Sequence, residues 1–221
     1  MTTQELLDFF DLIQDKYGTP YFTDDEKLVF LNNAVLEFIN SKFPDTESDR
    51  ERSDVEINWN SLQDIWPLIF TVSDLAMSTS GIITKADLDT ALQTISGDAG
   101  ASVYKLLNVE MRKGGNRYPI KVVRHNDKSA FEQNYFKKPS LEQPRYTLEN
   151  GSLQIRPTDL IGKVAVSVVK SPKELALSPS IVNPELPRSV KNQIVAIGLE
   201  FAGIASRDDV LKTMLAMNKQ S

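Results

Sequence analysis

The stretch PRYTLENGSLQIRP, residues 144–157, decides how the middle of this chain folds. Asn150-Gly151 lies between two alternating segments, and such a two-residue connection reads as a tight hairpin turn with positive φ at both positions. Folding about it sets a register: Glu149 opposite Ser152, Leu148 opposite Leu153, Thr147 opposite Gln154, Tyr146 opposite Ile155, and Arg145 opposite Arg156. One face then carries Tyr, Leu, Leu and Ile, and the other Glu, Ser, Thr, Gln and two arginines. That is the alternation of a half-buried antiparallel pair. Like charges directly opposite each other destabilise a sheet, so what the arginines face bears on function.

The neighbouring segments are also extended. VYKLLNVEMR and RYPIKVVRH, joined through Gly114-Gly115-Asn116, read as a second hairpin, and GKVAVSVVKSP as a valine-rich strand closed by Pro172. Asn126 is placed to cap a short helix, DKSAFEQN, and NYFKKPSLEQP reads as a proline-punctuated loop. Helices lie on both sides of this region. Thr3 is placed to cap QELLDFFDLIQDKY, and Thr23 with Glu26 forms a capping box for a second helix with a broad apolar face. NSLQDIWPLIFTVSDLAM reads as a third helix, kinked at Pro67, and KADLDTALQTI as a fourth, capped by Thr84. SGDAGA, residues 96–101, reads as a flexible joint. Beyond an irregular crossing paced by Pro179, Pro184 and Pro187, RSVKNQIVAIGLEFAGIAS forms a last long helix, followed by a helical RDDVLKTMLAMNK. Helices, then strands, then helices predict an α+β protein. The expected division is a helical region at 1–98, a central β-rich insertion at 99–173, and a helical region at 174–221 that completes the bundle.

Bulk properties narrow the function. The chain of 221 residues is 41% hydrophobic and 25% charged, the balance of a soluble globular protein. No apolar run approaches the ~18–20 residues of a membrane span, and MTTQELLDFF lacks the basic start of a secretory signal. With no cysteine and one histidine there is no disulfide, no thiolate nucleophile, and no Cys-based or multi-His metal site. The charge is polarised: residues 1–100 hold 6 Lys+Arg and 19 Asp+Glu, whereas residues 101–221 hold 19 and 11. Such asymmetry suits opposite-sign surfaces meeting a neighbour or partner. The acidic stretch 44–58 reads as a solvated loop; from Asp45 it imitates a calcium loop, but Arg50 stands where the sharp turn needs glycine.

No active site emerges. His125 with Asp127 is the one pair that suggests a general base, and it sits at a strand-to-helix junction. Phosphate-loop, dinucleotide and nucleophile-elbow patterns are absent, and Asp24-Asp25 and Asp208-Asp209 fall at helix starts, where they suit the dipole. Catalytic, cofactor-binding and metal-binding residues are therefore expected to be none. The middle region does crowd cations. Arg112, Lys113, Arg117, Lys137, Lys138, Arg145 and Arg156 form a candidate interface, flanked by Lys121 and Arg124 and interleaved with Tyr118, Tyr135, Phe136 and Tyr146. That composition suits either nucleic-acid phosphates with stacking aromatics or an acidic protein partner, and no recognised nucleic-acid module is present.

The segment order resembles a known family. YGTPYFTDDEKLVFLNNAVLEFIN is similar to the paired N-terminal helices of head-to-tail adaptor (connector ring) proteins of tailed bacteriophages, with the likeness closest to short-tailed, crAss-like phages. YKLLNVEMRKGGNRYPIKVVRHND, FKKPSLEQPRYTLENGSLQIRP and VVKSPKEL resemble the β-rich insertion of that group, and LPRSVKNQIVAIGLEFAGIASRDD its closing helix. The acidic loop 44–58 and the prolines at 179–187 match no part of the pattern. The resemblance implies a non-enzymatic virion structural protein without cofactor or membrane. Such a protein assembles in the bacterial host cytoplasm into a ring, commonly of twelve subunits, at the head–tail junction. It would bind the portal protein and further tail or ring proteins, and surround the channel through which genomic DNA leaves. Ring contacts are heterologous, so each subunit needs two complementary sides. Other readings stay open here: another head-completion or tail-tube-associated protein, a nucleic-acid-binding accessory protein, or a hydrolase using His125.

Overall fold

Local capping chemistry sets where the first helices begin. In a computed structural model, which describes residues 1–17, 22–43, 62–75, 77–113, 116–123, 128–133, 138–140, 143–158 and 163–206, the protein is α+β. The acidic stretch 44–58, the Gly114-Gly115 turn, Asn126 and the RDDVLKTMLAMNK segment lie outside the described residues. Thr23 caps α2 (Asp24–Ser41) in the expected box, its hydroxyl accepting from the Glu26 N–H and the Glu26 carboxylate accepting from the Thr23 N–H at 2.8 Å. The cap of α1 (Thr3–Tyr17) is Thr2 rather than Thr3. Its Oγ1 accepts from the Glu5 N–H at 3.1 Å and its N–H donates to Glu5 Oε2 at 3.0 Å. Thr3 is buried and does other work, donating its N–H to Asn183 Oδ1 and its hydroxyl to the Val182 carbonyl.

The chain forms two compact units, one built from the described residues up to Leu68 and from Pro172 onward, the other from Ile69–Ser171. In the helical unit, α2 buries Leu28, Leu31, Ala34, Val35, Phe38 and Ile39, while α1 contributes Leu6, Leu7 and Phe10. The last helix, running Lys191–Ser206, adds Ile194, Val195, Leu199 and Ala202, and its Gly198 lies against Leu31 and Phe10. The proline-paced crossing is tied down by Asn32, whose side-chain amide accepts from the Leu175 N–H at 2.7 Å and donates to the Leu175 carbonyl at 3.3 Å. Lys27 is 1% exposed, its ammonium 2.6 Å from Asp11 and 3.1 Å from Asp24. Burial alone would lower its pKa; the bonds and charges of the two carboxylates outweigh that and hold it above the ordinary lysine value.

The expected third helix is replaced by a 3₁₀ segment, Gln63–Leu68, which contains Pro67 and leads into strand β1, Ile69–Leu75. The reason is a bulge. Buried Ile65, Leu68, Val72 and Leu75 recur at near-helical spacing, but between Val72 and Leu75 the strand register shifts and Asp74 takes φ 62. An extra strand residue there stretches the two-residue period to three and imitates a helix. The helical-to-β change therefore falls at 68/69, where the sequence had placed it at 98/99, and the KADLDTALQTI helix belongs to the β unit.

That unit holds two four-stranded sheets. The first runs in the order β1, β8 (Lys163–Lys170), β3 (Val103–Lys113), β4 (Asn116–Pro119). The second runs β2 (Ile82–Ile83), β7 (Ser152–Arg156), β6 (Arg145–Glu149), β5 (Lys121–Val122). Helix α3 (Lys85–Ser96) starts at the expected Thr84 cap, which Asp87 completes as a capping box, and sends Leu88 and Leu92 into one core shared with both sheets, beside Val72, Met111, Leu153, Ile155 and Val166. RYPIKVVRH is not one continuous strand. After Pro119 the Ile120 N–H donates to the Val109 carbonyl, and the chain crosses to pair β5 with β6 in parallel. SGDAGA is not a joint between units either: Ala101 is buried, and Asp98 pairs at 3.2 Å with the buried Lys170.

Two comparisons check this packing. Gly81 and Gly151 both have positive φ, +74 and +72, but an added Cβ at Gly81 would lie 2.5 Å from the Ile155 carbonyl oxygen, and at Gly151 it would meet nothing. Gly151→Ala is expected to cost about 1 kcal/mol and Gly81→Ala about 3 kcal/mol in urea unfolding followed by circular dichroism. Equal costs would contradict the close approach. By the same measurement Asp11→Asn should cost about 2–3 kcal/mol, less than for a fully buried pair because Asp11 is partly exposed, whereas Lys27→Met should stay within about 1 kcal/mol of wild type. Because the folded pKa of Lys27 is raised, its contribution is full below about pH 10.4 and is lost as pH rises through the folded value.

Candidate functional site

The hairpin is formed in the register read from its sequence, Arg145 to Arg156 through Glu149 to Ser152, about a turn with Asn150 at φ 49 and Gly151 at φ 72. Leu153 and Ile155 are fully buried and Tyr146 packs against the same core, while Leu148 is left half exposed. Burial of Tyr146 pushes its phenol above the ordinary tyrosine value. The polar face is not simply solvated. Thr147 on that face is 7% exposed. The short helix α4 (Lys128–Gln133) places Lys128 Nζ 2.5 Å from Glu149 Oε1 and 3.2 Å from Gln154 Oε1.

Together these elements line a small recess, with a cavity volume of about 20 Å³, that opens to solvent. Its polar lining is Arg145, Thr147, Gln154 and Arg156 from the hairpin and Lys128 from α4; Val123, Tyr146 and Pro139 complete the wall. The parallel pairing of β5 with β6 sets Lys121 in register beside Arg145, so Lys121, Arg145 and Arg156 form one row across three strands. A second cationic row crosses the first sheet, where Arg112 is in register with Lys163 on one side and Arg117 on the other. Lys163 pairs with Asp74 at 3.2 Å, the residue that the bulge turns out of the strand. Arg112 Nε is buried without a hydrogen bond to the described residues, and Arg117 is exposed.

The sequence-read cations thus separate onto two sheets. Arg145 meets Arg156, and Arg112 meets Arg117; Lys138 is exposed beside Pro139, and the side chains of Lys113 and Lys137 lie outside the described residues, as do His125, Asp127, Tyr135 and Phe136. Tyr118 and Tyr146 pack on the core, so their main role is burial rather than stacking. Lys128, Thr147 and Gln154 were not legible as site residues, because nothing in a linear pattern shows a helix lying over the polar side of a hairpin. Among the described residues no cluster of three metal-ligating side chains occurs, and no helix is long and apolar enough to cross a membrane. A scan against protein-family models finds no match to the chain, and a search of curated proteins finds no significant relative.

Tyr146 offers a probe of this region. Its folded pKa is raised, so the protein should lose stability as pH rises past about 10, where an unfolded tyrosine ionises. In an ultraviolet titration, Tyr146→Phe should remove an ionisation step that lies above the ordinary tyrosine value or coincides with alkaline unfolding. An unchanged titration curve for Tyr146→Phe would rule out the buried phenol.

Proposed function

We propose that this chain is a virion structural protein, a ring-forming head-to-tail adaptor that links the capsid portal to the tail and surrounds the DNA exit channel. The observation that carries this reading is the segregation of charge between its two units. Exposed carboxylates crowd α1 and α2 at Asp8, Asp15, Asp24, Asp25, Glu26 and Glu37. Exposed cations stand on the β unit at Arg117, Lys121, Lys138 and Lys163. A heterologous ring needs this kind of complementarity between two different sides of one subunit. Exposed apolar residues support the same reading: Val29 and Leu36, two helical turns apart on α2, and Leu12 on α1 stand among those acids. An apolar patch with a charged rim is the usual make-up of a protein interface.

On this reading the subunit does no chemistry. Its work is to hold a portal on one side and tail components on the other, with DNA passing through the ring it helps to close. Quantitative mass spectrometry of density-purified particles, from the infected culture that encodes the chain, tests this directly. One closed ring of the size that the resemblance implies would give about a dozen copies per particle. Absence from clean particles would remove the proposal. As a check on the interface, Val29→Glu with Leu36→Glu should leave the circular dichroism spectrum unchanged and abolish incorporation into particles.

A further inference from the structure

We infer that the face of the first sheet turned away from the shared core, where Lys163, Arg112 and Arg117 stand in one row, is a contact surface for the phosphate backbone of a nucleic acid. Side chains alternate along a strand, and Met111 and Tyr118 pack on the core, so their neighbours Arg112 and Arg117 lie on the opposite face. Lys163 joins them from β8, in register with Arg112. Neighbouring strands lie about 4.8 Å apart, so the three cations cross β8, β3 and β4 over about 10 Å. The two arginines are also close. Pro119 has no N–H to exchange with its partner Glu110, and Arg112 with Arg117 is two positions along the same ladder. Both are therefore non-hydrogen-bonded pairs, the kind whose side chains stand nearer.

What this row lacks is an acceptor. Lys163 has one in Asp74, but both are mostly exposed, and such a pair contributes little. Among the described residues Arg112 and Arg117 have no ion pair, and Arg112 Nε is buried with no hydrogen bond. An unmade bond on a buried charged donor costs more than on a neutral one. Glu110, two positions from Arg112 on the same face, accepts instead from the Asn108 amide at 2.9 Å. The two guanidinium forks are thus open to an anion, and a phosphate accepts such forks in bidentate fashion. The surroundings choose between a phosphate backbone and an acidic protein. A protein interface has an apolar centre inside a polar rim. Among the described residues no exposed large apolar side chain lies on β1, β8, β3 or β4. A contact made by charge alone is the sequence-independent mode of nucleic-acid binding. Tyr118, the aromatic of the same hairpin, is turned to the core, so no base is stacked or read. The surface belongs to one sheet of a single chain and does not rest on a ring.

The test is binding of a labelled, mixed-sequence DNA duplex to the full chain, followed by fluorescence anisotropy over a series of salt concentrations. Three phosphate contacts predict that log K falls with log salt at a slope of about −2.7, the same for a second duplex of different sequence. Arg117→Gln should make the slope shallower by about one and weaken binding to both duplexes alike. Lys85→Gln, which removes an equal charge from an exposed position on α3, should leave slope and affinity unchanged. Asp74→Asn should act in the opposite direction and tighten binding, because it releases Lys163; asparagine tolerates the φ of 62 at that position, so the fold is kept. Failure to bind at low salt would overturn the assignment, as would equal effects of Arg117→Gln and Lys85→Gln. If polyglutamate displaces the duplex as strongly as an equal charge of unlabelled duplex does, the assignment also fails, and the face is one for an acidic protein.

Discussion

The pairing of β1 with β8 is the constraint on which the rest of the structure depends. The helical unit is made from both ends of the chain, so everything between Leu68 and Pro172 must leave and come back. Antiparallel pairing places Ile69 beside Val169, which makes the two crossing points neighbours. A domain whose ends are adjacent can be inserted into another without pulling its parts apart. The strand that does this is almost wholly apolar: Val164, Ala165, Val166, Val168 and Val169 are all buried, as expected of a central strand covered on both faces. Each fully buried aliphatic side chain of this kind contributes about 1.5–3 kcal/mol.

Charges inside the molecule follow one rule in both units. Lys27, Lys128 and Lys170 each run an aliphatic stem along packed surface and bring the ammonium to a carboxylate on another element. Lys27 links α2 to α1, Lys170 links the end of β8 to the turn after α3, and Lys128 links α4 to the hairpin. Pairs of this kind add little net stability compared with an apolar core, but they penalise any arrangement that leaves one partner alone. They fix which element packs on which, a task that interchangeable valines and leucines do less well.

What was legible in the sequence was what is local. The Asn-Gly turn, the hairpin register and the caps at Thr23 and Thr84 depend on residues within a few positions of one another, and each formed as read. The misreadings came from longer-range terms. The bulge at Asp74 gave a strand a helical rhythm, and only pairing with β8 reveals it. At Pro119 the missing N–H helps to end one ladder, and the chain joins a second sheet in parallel, which placed Lys121 beside Arg145 without any signal in the linear pattern. Thr3, the better-placed capping residue by eye, was recruited to hold Val182 and Asn183 instead, some 180 residues away. The arginine pair was legible; the cover over it was not.

That cover changes what the pair means. On an open sheet two opposed arginines splay into water and their repulsion is small. A one-residue slip of the register would carry Leu153 and Ile155 out of the core, so the pair cannot relax along the strand. Lys128, whose ion pair with Glu149 holds α4 over the same face, adds a third cation to the lining.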